Sequence, residues 1–171
     1  NDVDGMLYGV TEAGLMVSIN KLTGAVTEFG QIGGDVGFTN TLACDPNGMF
    51  YCAKLGTYEG YSFTLDTIDA PEYLCAVDIS SVYATHGLQT MEFDATRQLL
   101  CWVARTAYMY NGQPYGADQY CHYEMDVQNK QVVRKYLGVN YGSPVYGLIS
   151  PVWEGLDVSW SEPTYEVEGV Y

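Results

Sequence analysis

The chain has 171 residues, enough for one ordinary core, and a formal net charge of −14 with only seven Lys and Arg, so nucleic acid, itself a polyanion, is not an expected partner. Hydrophobic residues make up 47% and aromatics 14%, with 16 Tyr, which argues against disorder and for strands carrying amphipathic side chains. No apolar run approaches the roughly 20 residues of a membrane-spanning helix, so no membrane insertion of that kind is expected.

In chain order, Asp2-Val3-Asp4-Gly5 sets turn-forming residues before Met6–Val10, and Glu12-Ala13-Gly14 breaks that run before Leu15–Ile19. This reads as turn, strand, turn, strand. In the second strand Leu15, Val17 and Ile19 alternate with Met16, Ser18 and Asn20, the two-residue period of a sheet. Asn20 then opens a tight loop, Lys21 to Gly24: an Asn side chain bonds the backbone two residues on, and Gly takes the left-handed conformation. A third strand from Ala25 to Phe29 is expected. Gln31 to Gly37 forms a Gly-rich crossing.

The pattern then returns. Phe38–Cys44 is the first strand of a second unit, followed by Asp45-Pro46-Asn47-Gly48-Met49-Phe50-Tyr51, which matches Asp2–Tyr8 position by position. A loop over Lys54–Gly60, a turn over Asp66–Glu72, a strand over Tyr73–Asp78 and a crossing over Ile79–Gly87 complete it. The third unit has a strand at Leu88–Phe93, a looser copy of the turn at Asp94–Gln98, an insertion from Arg105 to Gln119 read as a loop, a last strand at Gln131–Leu137 and a crossing over Gly138–Pro144. Val17-Ser18-Ile19-Asn20, Phe63-Thr64-Leu65-Asp66 and Tyr123-Glu124-Met125-Asp126 correspond, so Asn20, Asp66 and Asp126 are expected at one structural position. The turns recur after 43 residues from Asp2 to Asp45 and 49 from Asp45 to Asp94, near the roughly 40 to 50 residues of a four-stranded propeller blade.

The expected fold is therefore all-β: a propeller-like repeat of about three four-stranded blades over residues 1–150, with units near 2–44, 45–93 and 94–150, and a tail or linker over 151–171. Val145–Ser150 reads as the first strand of a further unit. Three blades fall short of the roughly four to eight of a ring, so the ring would be closed by a missing segment of the same polypeptide or by a second chain in a homodimer.

Several constellations carry candidate chemistry. Asp2–Gly5 and Asp45–Gly48 begin like a calcium loop, but position 12, with Asp2 counted as the first, is Ala13 rather than Glu and a strand follows, so a hairpin turn is expected and no metal. His86 and His122 are the only groups titrating near neutral pH, and His122 points away from its neighbour Cys121 in a strand. Cys44, Cys52, Cys75, Cys101 and Cys121 lack zinc-type spacing and read as small strand hydrophobes, which suits a reducing compartment as well as an anaerobe's surface. The insertion mixes Tyr108, Tyr110 and Tyr115 with Asn111, Gln113 and Asp118. Flat rings stack on apolar sugar or peptide faces, and amides and carboxylates pair with hydroxyls or backbone. These six are the candidate ligand-binding residues.

The stretch LMVSINKLTGAVTEFG, in which a strand, an Asn-x-x-Thr-Gly turn and a second strand combine, resembles the blades of bacterial β-propellers of the quinoprotein-like and cell-surface type. The resemblance spans roughly Asp2 to Ile149 and concerns fold. Nothing in the tail matches quinoprotein cofactor docking, so no cofactor is carried over. The expected function is that of a non-enzymatic module, extracellular or at the bacterial cell surface, binding a glycan or protein through loops. The alternatives are part of a carbohydrate-active enzyme propeller and a structural, self-assembling spacer.

Overall fold

Asn20 shows how the sequence shapes the chain. Its side-chain Oδ1 accepts the N–H groups of Leu22 and Thr23 at 2.9 and 3.0 Å, and Gly24 follows at φ +72°, so the chain reverses as the residues there dictate. The computed structural model describes residues 4–139 apart from 12, 35, 38, 40, 55, 56, 78–81, 111 and 112, with the backbone alone for 82–89, 105–120 and 137–139. Among the described residues eleven strands form three antiparallel sheets, and within each sheet neighbours in sequence are neighbours in space.

The first sheet holds β1 (Leu7–Val10), β2 (Leu15–Ile19) and β3 (Val26–Gln31). The alternation expected in β2 is present: Met16 and Ser18 are buried, while Leu15, Val17 and Ile19 are half-buried on the opposite face. The middle sheet holds β4 (Ala43–Cys44), β5 (Phe50–Ala53), β6 (Glu59–Phe63) and β7 (Glu72–Ala76). Its first strand is shorter than the expected Phe38–Cys44. Thr39 and Thr41 hydroxyls take over the bonding: Thr41 Oγ1 accepts the Ala53 N–H at 2.9 Å and Thr39 Oγ1 accepts the Thr41 N–H at 3.3 Å, the local competition by which threonines divert a backbone from ladder pairing.

The third sheet is much longer, with β8 (Val82–Asp94), β9 (Leu99–Tyr110), β10 (Gln113–Asp126) and β11 (Gln131–Val139). The insertion read as a loop over Arg105–Gln119 is for the most part strand, and so is much of the crossing read over Ile79–Gly87. Asn111-Gly112, a strong two-residue hairpin signal, sits between Tyr110 and Gln113, which pair. Thr106, Tyr108 and Tyr110 before it and Tyr115 and Tyr120 after it favour a pleated backbone. Irregularities interrupt pairing on both flanks of β9, between Ala84 and Gln89 of β8 and between Tyr115 and Gln119 of β10, and bulges of this kind re-aim a strand. Val145–Ser150 and the tail over 151–171 lie outside the described residues.

The reverse turns confirm part of the repeat and revise part of it. Asp126, like Asn20, accepts a backbone N–H three residues on, from Asn129 at 3.0 Å. Asp66 instead lies in a 3-10 turn over Leu65–Thr67 in which the Thr64 N–H donates to Thr67 Oγ1 at 2.9 Å. The bond there runs the other way along the chain: a backbone N–H donates to a hydroxyl three residues on, where Asn20 and Asp126 accept from an N–H three residues on.

Packing joins the three sheets face to face. Along β5 the side chains alternate: Phe50 and Cys52 meet Met16, Ile32 and Val36 from the first sheet's side, while Tyr51 and Ala53 meet Met91, Phe93 and Trp102 of the third. Phe50 stacks on Phe63 and edges onto Tyr8; Tyr51 lies parallel to Phe93 with centroids 5.6 Å apart. The strands β4 and β8 come together at one edge of the stack and β7 and β11 at the other. The backbones approach most closely where the first two sheets are joined. The Gly33 N–H donates to the Ile68 carbonyl at 2.8 Å, and a Cβ on Gly33 would fall within the Asp69 backbone. Gly33→Ala is therefore expected to cost at least about 1–3 kcal/mol, the range for overpacked sites, read as a lower urea midpoint with the slope unchanged; an unaltered midpoint would contradict this approach.

Candidate functional site

Two regions of the third sheet bring reactive or recognising residue types together. The first is the extension of β9 and β10 past the rest of the blade. Tyr108 pairs with Tyr115 and Tyr110 with Gln113, so four of the six expected ligand-binding residues occupy directly opposed positions of one hairpin. Arg105–Tyr110 alone spans roughly 20 Å at about 3.3 Å per residue. Asp118 lies on β10 within the irregular stretch between Tyr115 and Gln119. Asn111 lies outside the described residues. Val82 of β8 pairs with Tyr108 from the other side, so three strands make up this extension.

The second region is the outward face of the same sheet nearer its turns, which the sequence reading did not assemble. Strand pairing sets Cys101 of β9 opposite both Glu124 of β10 and Glu92 of β8, and sets His122 opposite Val103. Leu100, Trp102, Cys121, Tyr123 and Met125 alternate with these residues and fill the core. A sulfur, an imidazole nitrogen and a carboxylate oxygen from Cys101, His122 and Glu124 consequently lie within 4.8 Å of one another. The local Cys121–His122 pair is absent for the reason expected, since adjacent strand residues face opposite ways, yet a different cysteine reaches the histidine from the next strand.

Two arginines hold this face. Arg97 Nη1 donates to Glu124 Oε1 at 2.6 Å and Arg134 Nη1 to Oε2 at 3.0 Å, while Arg97 Nε bonds Asp94 at 2.5 Å. The Glu124 side chain is only 5% exposed. Burial pushes its carboxyl up, but the hydrogen bonds and charges of Arg97 and Arg134 outweigh this and hold it below its ordinary 4.5. Burial pulls the His122 imidazole below 6.5 against the opposing field of Glu124. The Cys101 thiol is pushed above 9.0, again chiefly by burial and against the pull of Arg97. A raised thiol pKa lowers the thiolate fraction and with it the nucleophilicity of Cys101.

Of the carboxylates in the Asp-Gly turns, Asp4 and Asp45 are described and Asp2 lies outside the described residues. Asp4 accepts from the Met6 N–H at 2.8 Å and the Tyr8 hydroxyl at 2.6 Å. Asp45 accepts the Asn47 and Met49 N–H groups, both at 2.9 Å, and the Tyr51 hydroxyl at 3.3 Å. Each carboxylate is taken up by its own turn and by a tyrosine of the strand that follows, which is the hairpin role expected of it. A cleft of about 330 Å³ lies beside these turns where the three sheets meet, lined in part by Tyr8, Leu42, Asp45, Phe50, Glu92 and Phe93. All five cysteines are free thiols and all five lie in strands, Cys52 and Cys121 fully buried.

No family model matches the chain, and no curated protein matches it. Solved structures match distantly. An acylaminoacyl peptidase from Pyrococcus horikoshii aligns at 8% identity and a TM-score of 0.47, covering 80% of this chain and 23% of that one. A structural genomics protein of unknown function from Bacteroides thetaiotaomicron aligns at 12% identity and 0.49, covering 81% and 47%. A chain of a nidogen/laminin complex aligns at 14% identity and 0.40, covering 85% and 80%. The chain thus spans about a quarter of the peptidase's length, and at these TM-scores the matches assign neither a family nor an activity.

The arginine-held carboxylates give a pH dependence with a definite sign. Asp94, like Glu124, is pushed up by burial and pulled further down by Arg97 and the turn N–H groups, to below 3.8. Both therefore bind protons less readily folded than unfolded, and their contribution is full above about 4.5 and lost as pH falls through the depressed values. The urea midpoint should hold from neutral pH down to that point and then drop. Glu124→Gln should lower stability at neutral pH by about 1.5–3 kcal/mol and flatten the acid slope; an acid slope identical to that of the parent would contradict this assignment.

Proposed function

We propose that this chain is a β-propeller-type module that binds a glycan or protein surface through the extended β9–β10 hairpin. The observation that carries the reading is the register there, with Tyr108 opposite Tyr115 and Tyr110 opposite Gln113 on strands that outrun those of the middle sheet. A ribbon of this kind fixes the spacing of aromatic and amide positions before a ligand arrives, which lowers the ordering entropy that a loose loop would lose on binding. Tyrosines supply contact area with few rotatable bonds, and Gln113 supplies both donor and acceptor.

The formal charge of −14 favours neutral or cationic surfaces over polyanions. The proposal extends to an extracellular or bacterial cell-surface setting, on the resemblance of LMVSINKLTGAVTEFG to the blades of such propellers. The carbohydrate-active alternative would need two available carboxylates facing one cleft. Asp45 and Glu92 do line the cleft beside the turns, but both Asp45 oxygens are engaged by Asn47, Met49 and Tyr51.

A panel of neutral and cationic glycans and peptides, screened against the parent and against Tyr108→Ala, Tyr110→Ala and Tyr115→Ala, tests the reading. Loss of one stacked aromatic is expected to weaken a responding ligand by about 1–2 kcal/mol, roughly five- to thirtyfold, with unfolding midpoints little changed. Unaltered affinities in the triple variant would remove the basis of the proposal.

A further inference from the structure

We propose that Cys101, His122 and Glu124 form a binding site for a zinc-type divalent cation on the outward face of the third sheet. Three donors of different chemistry are brought to one point by strand register: Cys101 directly opposite Glu124, with His122 two residues before it on β10. Their candidate ligand atoms lie within 4.8 Å of one another. A thiolate, an imidazole and a carboxylate together suit zinc better than calcium or magnesium, which select oxygen alone. Three protein ligands also leave a fourth position open. Across a tetrahedral site with bonds of about 2.0–2.3 Å the donors would stand about 3.5 Å apart, so binding draws these side chains inward by roughly 1 Å.

The second observation concerns His122. Its Nε2 is buried and has no hydrogen-bond partner among the described residues, an arrangement that costs free energy unless something fills the lone pair or takes the proton. The ring lies edge-on to Tyr136 at 5.7 Å, which limits its rotation. A cation bound through this nitrogen would satisfy it.

Local charge is suited to the ion as well. Glu92, Asp94, Glu124 and a Cys101 thiolate carry four negative charges, and Arg97 and Arg134 carry two positive ones, which leaves a deficit matching one divalent cation. Arg97 Nη2 also donates to Cys101 Sγ at 3.6 Å, a weak bond that an ion on this sulfur would replace, while the arginine contacts to Glu124 can stay. Each arginine donates to a different Glu124 oxygen, and a carboxylate has about four lone-pair sites in all. Coordination replaces the Cys101 S–H bond by a metal–sulfur bond and releases the proton to solvent, so affinity rises with pH.

Cobalt(II) titration of the intact chain is the direct test. The expected spectrum has a sulfur-to-cobalt charge-transfer band in the near ultraviolet and intense visible bands of a tetrahedral site, both abolished by added zinc. With zinc bound, alkylation of Cys101, located by peptide mass mapping, should slow about tenfold or more, while Cys44 and Cys75 keep their rates. Cys101→Ser and His122→Gln should each weaken zinc binding by more than the about 10–100-fold typical of losing an outer-shell partner, and Cys75→Ser should not. Far-UV circular dichroism reports whether each variant folds, and the alkylation pattern of the unaltered protein decides the matter without them. An octahedral cobalt spectrum lacking the sulfur band, Cys101 alkylation unaffected by zinc, or full affinity in folded Cys101→Ser would each overturn the proposal.

Discussion

A strand of four residues buried on both faces governs the architecture. Phe50, Tyr51, Cys52 and Ala53 are each no more than 4% exposed, although their side chains alternate between opposite sides of the sheet. Such burial requires apolar cover from two directions, and the chain supplies it from the sheets before and after. Further apolar contacts between sheets extend that arrangement: Phe63 and Tyr61 on one side, Tyr58 and Leu74 on the other. Gly60 belongs to the same scheme: a Cβ built there would lie in ordinary contact with Met125 of the third sheet, 3.5 Å from its methyl. Burying one such side chain stabilises by about 1.5–3 kcal/mol, and losing one leaves a cavity as well.

Among the described residues the outer sheets each have one uncovered face, and the two differ in character. Leu7, Ile19 and Val26 stand in cross-strand register on the first sheet, with Leu7 and Val26 49% and 60% exposed. The outward face of the third sheet is polar, built on Glu124 between two arginines. The low dielectric that makes an unpaired Glu124 costly also makes its two pairs effective. That polar face and the projecting hairpin share β9 and β10. The proposed recognition ribbon and the proposed cation site therefore share one pair of strands, while β5 of the middle sheet is committed to packing.

The local chemistry of turns was the most legible part of the fold. Asn20 with Gly24, and Asp45 with Gly48, state their geometry within a few residues, and the bounds of β2 follow from alternation alone. The twofold burial of β5 could not be read that way, because its four apolar residues are equally consistent with a strand facing one side. The third sheet shows a different failure. Pro114, Gly116 and the polar residues around them suggest a loop by composition, yet Asn111-Gly112 between two tyrosine-bearing runs signals a hairpin. Taking that signal first would also have located the second site. A hairpin turning at 111–112 sets residue 101 on the same face as 122 and 124, and the two-residue shift on β10 preserves that parity. Cys121 drew attention through adjacency to His122, whereas adjacency in a strand separates side chains and register unites them.

Native-state hydrogen exchange tests most directly whether two-sided burial of β5 holds the three sheets together. The amides of Tyr51 through Ala53 should exchange only by global unfolding, with protection matching the stability measured by urea, as should those of Trp102 and Val103 in the third sheet. The exposed strand β3 should open at lower free energy. Exchange from β5 through a sub-global opening, while the third sheet stays protected to the global limit, would contradict the account, since the sheets would then be separately stable units resting against one another.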